Sequence, residues 1–341
     1  MDFKDLTRKE RSEALEALGE RPFREKQIFK WICAGAESFA EMTDLPAALR
    51  EKLAERCSFR RGKVEFCQTS KDGTSKFLIS FPDGEKAETV FMSYEYGNSL
   101  CVSTQVGCNM GCVFCASGIG GKVRDLKAWE MLEEYLLCRK TSGQEINHIV
   151  LMGMGEPMDN YEQVSEFLRQ IHDPAGIGLS YRNITVSSCG LIPKLEQFEK
   201  DFPQVNLAIS LHASDQETRE KLMPAAKVYK LDELIPFCRK HAEVTGRRVT
   251  FEYALIAGRN DTDADAKKLA VLLRGLNCHV NLIPLNTVTE SGLKSSGRPR
   301  ALDFQKKLLD QGIQCTVRRQ LGADIDAACG QLRKNHPNRP C

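Results

Sequence analysis

The sequence predicts an α/β protein whose main part is a partial (βα)6 barrel. Six apolar runs of strand length follow one another from residue 98, with the sequences SLCVST, HIVLMG, NITVSS, VNLAISLH, VTFEYALI and HVNLIPLN. Charged amphipathic stretches long enough to form helices separate these runs. Strands that alternate with helices pair in parallel through right-handed crossovers, so they form an open sheet or a barrel. We therefore expect the barrel to occupy residues 98–290.

The first 60 residues predict a small helical domain. Thr7 and Glu10 have the spacing of a capping box, which marks the start of a helix. Pro22 is placed to begin a second helix, and a third is expected from about Pro46 to Arg56. A unit of this size buries little apolar surface by itself, so we expect it to dock on the rest of the chain.

Residues 61–97 predict β-hairpins that join the helices to the barrel. The turn sequences Lys71-Asp72-Gly73 and Pro82-Asp83-Gly84 lie between runs rich in β-branched and aromatic residues. Asp-Gly at such a position favours a tight turn between antiparallel strands.

Composition indicates a globular protein of the cytoplasm. The chain has 341 residues and is 42% apolar, but it contains no apolar run of membrane-spanning length. Its first residues, MDFKDLTRKE, lack the apolar core of a secretory signal. The 14 cysteines are scattered through a long chain, which favours free thiols and metal ligands over a disulfide framework.

Positive charge is concentrated at the carboxyl end. Residues 291–341 contain ten Lys and Arg against four Asp, although the net charge of the whole chain is only +2. We expect this basic segment to meet a polyanionic partner such as a nucleic acid. Any single one of these charges could equally belong to a solvated helix face.

Three cysteines predict a metal centre with an open position. Cys108, Cys112 and Cys115 form a C-x3-C-x2-C triplet in VGCNMGCVFC. A structural zinc site normally has four protein ligands, and so does a fully ligated 4Fe-4S cluster. The triplet therefore favours a cluster with one free iron, but zinc completed by a distant His or Cys remains an alternative.

Segments rich in small or polar residues stand at or after the ends of most of the other predicted strands. They are the loop Gly153-Met154-Gly155-Glu156-Pro157, Ser187 with Ser188, the run Ser210-Leu211-His212, and Asn286. Active sites of (βα) barrels lie at the carboxyl ends of the strands. We therefore expect a small-molecule site beside the cysteine triplet.

Five segments resemble the radical S-adenosylmethionine (SAM) methyltransferases that modify adenine in RNA, and most closely the RlmN type. They are CVSTQVGCNMGCVFCASG, GMGEPMDN, ISLHA, VNLIPLN and DIDAACGQLR, and the resemblance runs nearly end to end. It implies a radical SAM barrel in which the three cysteines hold a 4Fe-4S cluster. It also implies two SAM molecules per turnover, with SAM contacts at Gly155, Glu156, Ser187, Ser210, Leu211, His212 and Asn286.

The same resemblance implies the reaction and its partners. Cys329 matches a cysteine that is itself methylated, Cys101 matches the cysteine that later pairs with it in a disulfide, and Glu88 matches a proton acceptor. The implied product is C2-methyladenine in 23S rRNA and at the position 3′ of the anticodon in some tRNAs. A flavodoxin or ferredoxin would donate electrons to a monomeric enzyme. Cys189 stands where relatives often have serine, and we expect it to serve in packing.

Two alternatives remain open. Relatives of the Cfr type methylate C8 of adenine in 23S rRNA and confer antibiotic resistance, and they share both cysteines, the cluster and SAM. From a different class, the chain could be a zinc-binding or iron–sulfur RNA-binding protein without catalytic activity.

Overall fold

A computed structural model describes residues 2–333 of the chain. Met1 and residues 334–341 lie outside the described residues, and with them two of the ten basic residues of the predicted basic segment, Lys334 and Arg339, as well as Cys341. The predicted fold class is confirmed, because the chain forms a mixed α/β structure around a sheet of ten strands.

The element bounds follow the predicted order of helices, hairpins and strand–helix units. The helices are α1 (Arg8–Glu16), α2 (Arg24–Ala34), α3 (Ala47–Arg56), α4 (Ala128–Ser142), α5 (Tyr161–His172), α6 (Ile192–Asp201), α7 (Gln216–Leu222), α8 (Leu231–Thr245), α9 (Asp263–Leu273) and α10 (Gly297–Leu309). The strands are β1 (Lys63–Thr69), β2 (Ser75–Ser80), β3 (Lys86–Tyr94), β4 (Gly97–Cys101), β5 (Gln105–Val106), β6 (Arg124–Asp125), β7 (His148–Leu151), β8 (Ile184–Ser188), β9 (Asn206–Ser210), β10 (Val249–Leu255), β11 (Cys278–Pro284) and β12 (Cys315–Val317).

The amino-terminal helices dock on α4, as their small size led us to expect. The hydroxyl of Thr7 accepts a hydrogen bond from the Glu10 amide, and the Glu10 carboxylate accepts one from the Thr7 amide, which completes the predicted capping box. Just before this helix, Lys4 Nζ donates a 2.5 Å hydrogen bond to Glu133 on α4, and both side chains are buried. This ion pair fixes the start of the chain against the main body.

The sheet changes from antiparallel to parallel at β4. Strands β1 to β4 are joined in antiparallel order, with the two predicted turns between β1 and β2 and between β2 and β3. From β4 the order continues through β7, β8, β9, β10 and β11, all in parallel. These six strands are the predicted ones.

One further parallel strand was not predicted. Strand β12 pairs with β11, where Val280 is in register with Cys315. It has three residues, which is too short for an apolar pattern to reveal it. Strands β1 and β12 form the two ends of the sheet. Among residues 2–333, every helix is too short or too polar to cross a bilayer.

Candidate active site

The carboxyl ends of the parallel strands surround a cavity. The volume within it that the centre of a water molecule can occupy is about 150 Å³. This is roughly ten times the space that one water requires, so a small molecule can enter. Its wall includes ten of the predicted site residues: Cys108, Cys112, Cys115, Gly155, Glu156, Ser187, Ser210, His212, Asn286 and Cys329. We call it the cofactor cavity. The expected meeting of these residues at one edge of the sheet is therefore observed.

The cysteine loop is held in place by backbone hydrogen bonds to distant segments. The Val113 amide donates a 3.0 Å hydrogen bond to the Leu222 carbonyl at the end of α7. The Ala116 amide donates one of 2.7 Å to the Gly330 carbonyl, next to Cys329. The loop therefore joins the centre of the chain to its carboxyl-terminal segment.

Burial keeps the triplet thiols protonated in the absence of a cation. It raises the pKa of Cys108 to about 12 and also raises the pKa of Cys112 and Cys115. A bound metal reverses this preference, because coordination stabilises the thiolate. Three thiols on one cavity wall are thus a donor set that suits a metal centre.

The three thiols also fit the donor set of an iron–sulfur cubane. In a 4Fe-4S cluster each thiolate binds a different iron, so the three sulfurs need not meet at one point.

Glu156 is a buried carboxylate held by backbone donors. Its two oxygens accept hydrogen bonds of 3.1 Å from the Met158 amide and 2.8 Å from the Cys189 amide. Burial raises the pKa of the Glu156 carboxyl, and the Cys189 hydrogen bond opposes part of that rise. Cys189 itself lines the cofactor cavity. The carboxylate is therefore oriented before any ligand binds.

His212 presents a neutral imidazole to the cofactor cavity. Its Nδ1 accepts a 2.9 Å hydrogen bond from the Ala254 amide, so the ring proton is on Nε2. The pKa of His212 is lowered to about 3, mainly by burial and to a smaller extent by the charge of Arg219. The backbone of His212 is left-handed, with φ 54°, and its ring packs edge-on against Phe114 of the cysteine loop.

Cys329 lies between the cofactor cavity and a second, smaller cavity. The second cavity, which we call the thiol cavity, is also lined by Cys101, Tyr94 and Arg318. The pKa of the Cys101 thiol is raised to about 12, mainly by burial and to a smaller extent by the nearby Cys329. The structure therefore brings the two predicted partner cysteines to the same cavity, with both thiols free.

Two predicted residues lie outside both cavities. Leu211 is fully buried, and its carbonyl oxygen accepts a 3.3 Å hydrogen bond from Arg219 Nε. Glu88 is buried on β3, where Lys76 forms an ion pair with it at 3.2 Å and the Arg333 amide donates to it at 2.6 Å. In this structure the Glu88 carboxylate thus serves to hold the segment after Cys329.

The sequence reasoning missed two charged residues at the site. Glu252 lines the cofactor cavity, and among the described residues its Oε2 has no hydrogen-bond partner. Arg318 lines the thiol cavity and lies 4.0 Å from the same oxygen. Glu252 was visible as a lone acid in the apolar strand VTFEYALI, whereas the position of Arg318 follows from the unpredicted strand β12.

Comparison with family models matches two parts of the chain. Residues 1–59 match the ribosomal RNA large subunit methyltransferase N-terminal domain, and residues 102–270 match the radical SAM superfamily. The second match contains the cysteine triplet and most of the cofactor cavity.

Similarity to known proteins extends over nearly the whole chain. A protein of Alkaliphilus oremlandii named "Probable dual-specificity RNA methyltransferase RlmN" is 49% identical over 337 residues, 98% of each chain. A protein of the same name from Clostridium acetobutylicum is 47% identical, over 97% of this chain and 96% of that one. The crystal structure of a radical SAM methyltransferase from Sphaerobacter thermophilus superposes with a TM-score of 0.93 at 43% identity, over 98% of this chain and 100% of that one. The chain therefore belongs to the RlmN family of radical SAM RNA methyltransferases.

Proposed function

We propose that the protein methylates C2 of an adenine in 23S rRNA and of the adenine 3′ of the anticodon in tRNA, with Cys329 as the methyl carrier. The observation that carries this proposal is that Cys329 lines both the cofactor cavity and the thiol cavity. A sulfur in this position can accept a methyl group from one side and present it to a base on the other. The choice of C2 and of both RNA classes rests on the family.

The cofactor cavity would hold a 4Fe-4S cluster on Cys108, Cys112 and Cys115 and SAM beside it, with two SAM molecules used per product. When bound, these groups supply the methyl group and the one-electron chemistry that an electrophilic aromatic carbon requires. Glu156 is oriented to accept hydrogen bonds from an ammonium group, and His212 Nε2 is available as a donor. Ser187, Ser210 and Asn286 would complete the SAM contacts.

Cys101 would release the product. Attack of its sulfur on the Cys329 sulfur breaks the bond from Cys329 to the transferred carbon and forms a Cys101–Cys329 disulfide. The carbon leaves with the bonding electrons and takes up a proton to become the methyl group. Either Cys101 or Glu88 could accept the proton lost from C2. Glu88 lies outside both cavities and is held by Lys76, and the Cys101 thiol, whose pKa burial raises to about 12, must lose its own proton before it can accept one.

Cationic side chains near Cys329 support an RNA substrate. Arg318 and Arg319 line the thiol cavity, and Arg319 is exposed. Guanidinium groups bind phosphate oxygens, and exposing a stacked adenine costs a few kcal/mol that such contacts can offset. We further propose that residues 1–60 and the hairpins of 61–97 grip the RNA, that residues 98–290 carry the cofactors, and that residues 291–341 present Cys329.

Three further proposals rest on the family resemblance or, for the location, on composition. The protein would act as a monomer, it would reside in the cytoplasm, and it would receive electrons from a flavodoxin or a ferredoxin.

Product analysis tests the proposed function. The full chain is reconstituted anaerobically with iron and sulfide and incubated with SAM, a low-potential electron donor, rRNA and tRNA, and the RNA is digested for mass spectrometry. We expect 2-methyladenosine from the wild type, none from Cys329→Ala, and normal product from the control Cys57→Ala. Formation of 8-methyladenosine would favour the C8 alternative. Normal product from Cys329→Ala, or failure to bind a SAM-reactive cluster, would overturn the proposal.

A further inference from the structure

The guanidinium of Arg219 lies directly behind the wall of the cofactor cavity. Arg219 is on α7 and is 0% exposed. Its Nη2 donates hydrogen bonds of 2.7 Å and 3.2 Å to the carbonyls of Cys189 and Ser210, which both line the cavity. Nε and Nη1 donate to the carbonyls of Leu211 and Tyr229. Four neutral carbonyls therefore hold this charged group.

Within residues 2–333, Arg219 forms no ion pair with a carboxylate; its hydrogen bonds go to those carbonyls. Burial lowers the pKa of Arg219, but a guanidinium remains charged in proteins. A buried charge without a partner of opposite sign costs several kcal/mol. Arg11 shows the usual solution: it is 2% exposed and binds Glu25 at 3.0 Å and 2.9 Å. The counter-charge of Arg219 is therefore missing from the described protein.

The cysteine loop approaches the same helix. Val113 donates to the carbonyl of Leu222, one turn after Arg219, and Gly111 lies against Pro224. A 4Fe-4S core with three thiolates carries a net negative charge, and reduction makes this charge larger. A cluster on the triplet would therefore supply the missing counter-charge.

We propose that Arg219 is the counter-charge of the cluster, and that it stabilises the bound cluster and, more strongly, its reduced form. The reduction potential of the cluster is then higher than it would be without this cation, because the net charge around a cluster sets its potential. Arg219 acts through space and through the carbonyls of the cavity wall, so it is a positioning residue. The inference rests on the proposed function only in taking the triplet as cluster ligands.

A purely structural role is the competing explanation. The hydrogen bonds to Cys189 and Ser210 tie the end of β8 to the end of β9, and this tie alone would stabilise the fold. Three substitutions separate charge from hydrogen bonding. Arg219→Lys keeps the charge but loses most of the donors, Arg219→Gln keeps a donor without charge, and Arg219→Met removes both. Arg11→Met is the matched control, since Arg11 is equally buried but paired.

The test is a redox titration of the cluster-loaded full chain, followed by electron paramagnetic resonance. We expect Arg219→Gln and Arg219→Met to lower the potential by at least about 59 mV, a tenfold change in the reduction equilibrium. Arg219→Lys and Arg11→Met should remain close to the wild type. Thermal unfolding gives a second readout: cluster loading should stabilise Arg219→Met less than it stabilises the wild type.

Each outcome decides between the explanations. Equal potentials in wild type and Arg219→Gln would overturn the inference and leave a structural tie. If Arg219→Met does not fold, the Lys and Gln variants give the same comparison. Iron and sulfide content is measured first: a chain that binds no cluster overturns both this inference and the proposed function. Shifted potentials in a chain that methylates no RNA would support the inference and overturn the proposed function.

Discussion

The side-chain amide of Asn286 donates a 2.9 Å hydrogen bond to the carbonyl oxygen of Cys329, while its own oxygen accepts one of 3.0 Å from Gln320. Asn286 thus ties the end of β11 to the loop that carries Cys329. Asn286→Ala removes both bonds, at a net cost of about 1 kcal/mol each. We expect faster amide hydrogen exchange in residues 320–332, measured by mass spectrometry. Gln320→Ala, which removes only the second of these bonds, should have a smaller effect. Unchanged exchange in Asn286→Ala would mean that the loop does not depend on this tie.

Gly107 is required by a close approach of two backbone segments. Its φ is 77°, and a Cβ at this position would lie 2.1 Å from the carbonyl oxygen of Gly121. Gly107→Ala should therefore displace the cysteine loop and lower the iron content after reconstitution severalfold. Gly143 is the matched control, with φ 67° and no atom within 4 Å of the added Cβ. Gly143→Ala should cost only about 1–2 kcal/mol of stability and leave the iron content unchanged. Equal iron content in the two variants would contradict the steric argument.

His212 makes the stability of the cluster-free protein depend on pH. Its pKa is lowered from 6.5 to about 3, so below pH 6.5 the unfolded chain binds a proton that the native chain does not. The part of the free energy of unfolding that depends on neutral His212 is thus fully present above pH 6.5 and is lost as the pH falls towards 3. Between pH 7 and pH 5 the free energy of unfolding of the wild type should fall by about 2 kcal/mol more than that of His212→Asn. Urea denaturation at both pH values measures this difference, and parallel losses would show that His212 is protonated in the native state.

The buried pair of Lys76 and Glu88 should contribute strongly to the attachment of the carboxyl-terminal segment. The pair is 3.2 Å apart, and Lys76 also donates to the Asp326 carbonyl. Lys76→Met removes the cation beside a buried carboxylate and should lower the free energy of unfolding by about 3–5 kcal/mol. Adding Glu88→Leu should recover much of this loss. Lys63→Met is the control, because its pair with Glu65 is exposed and should contribute less than about 1 kcal/mol. A loss in Lys76→Met no larger than in the control would contradict this account.

Local patterns in the sequence predicted most of the fold and of the cofactor cavity. The capping box at Thr7 and the six apolar strands depend on residues close together in the chain, and strand ends such as Ser187 and Ser210 meet because parallel strands share an edge. Features that depend on contacts between distant segments were not predictable in this way. Glu88 lies on β3, inside the predicted hairpin region. Nothing nearby in the sequence reveals that Lys76 and the Arg333 amide hold its carboxylate.

Charge was the least predictable property of the site. Arg219 follows ISLHA in what reads as an ordinary polar helix, QETREKL, and its complete burial depends on how α7 lies against the ends of β8 and β9. Glu252 lies on β10 and Arg318 directly follows β12, and their proximity depends on the register of β10, β11 and β12. Such a register is set by packing over the whole sheet, which a local pattern does not encode.

The hydrogen bonds from Ala116 to Gly330 and from Ser117 to Leu332 also set the order of events during synthesis. Ser117 and Leu332 are 215 positions apart, so the triplet leaves the ribosome long before the segment that holds its loop. The cysteine loop reaches its final structure only when the last part of the chain is available. The metal centre that we propose for the triplet would therefore gain its native surroundings only after this segment has been synthesised, and a chain that stops before Gly330 would lack one wall of the cofactor cavity.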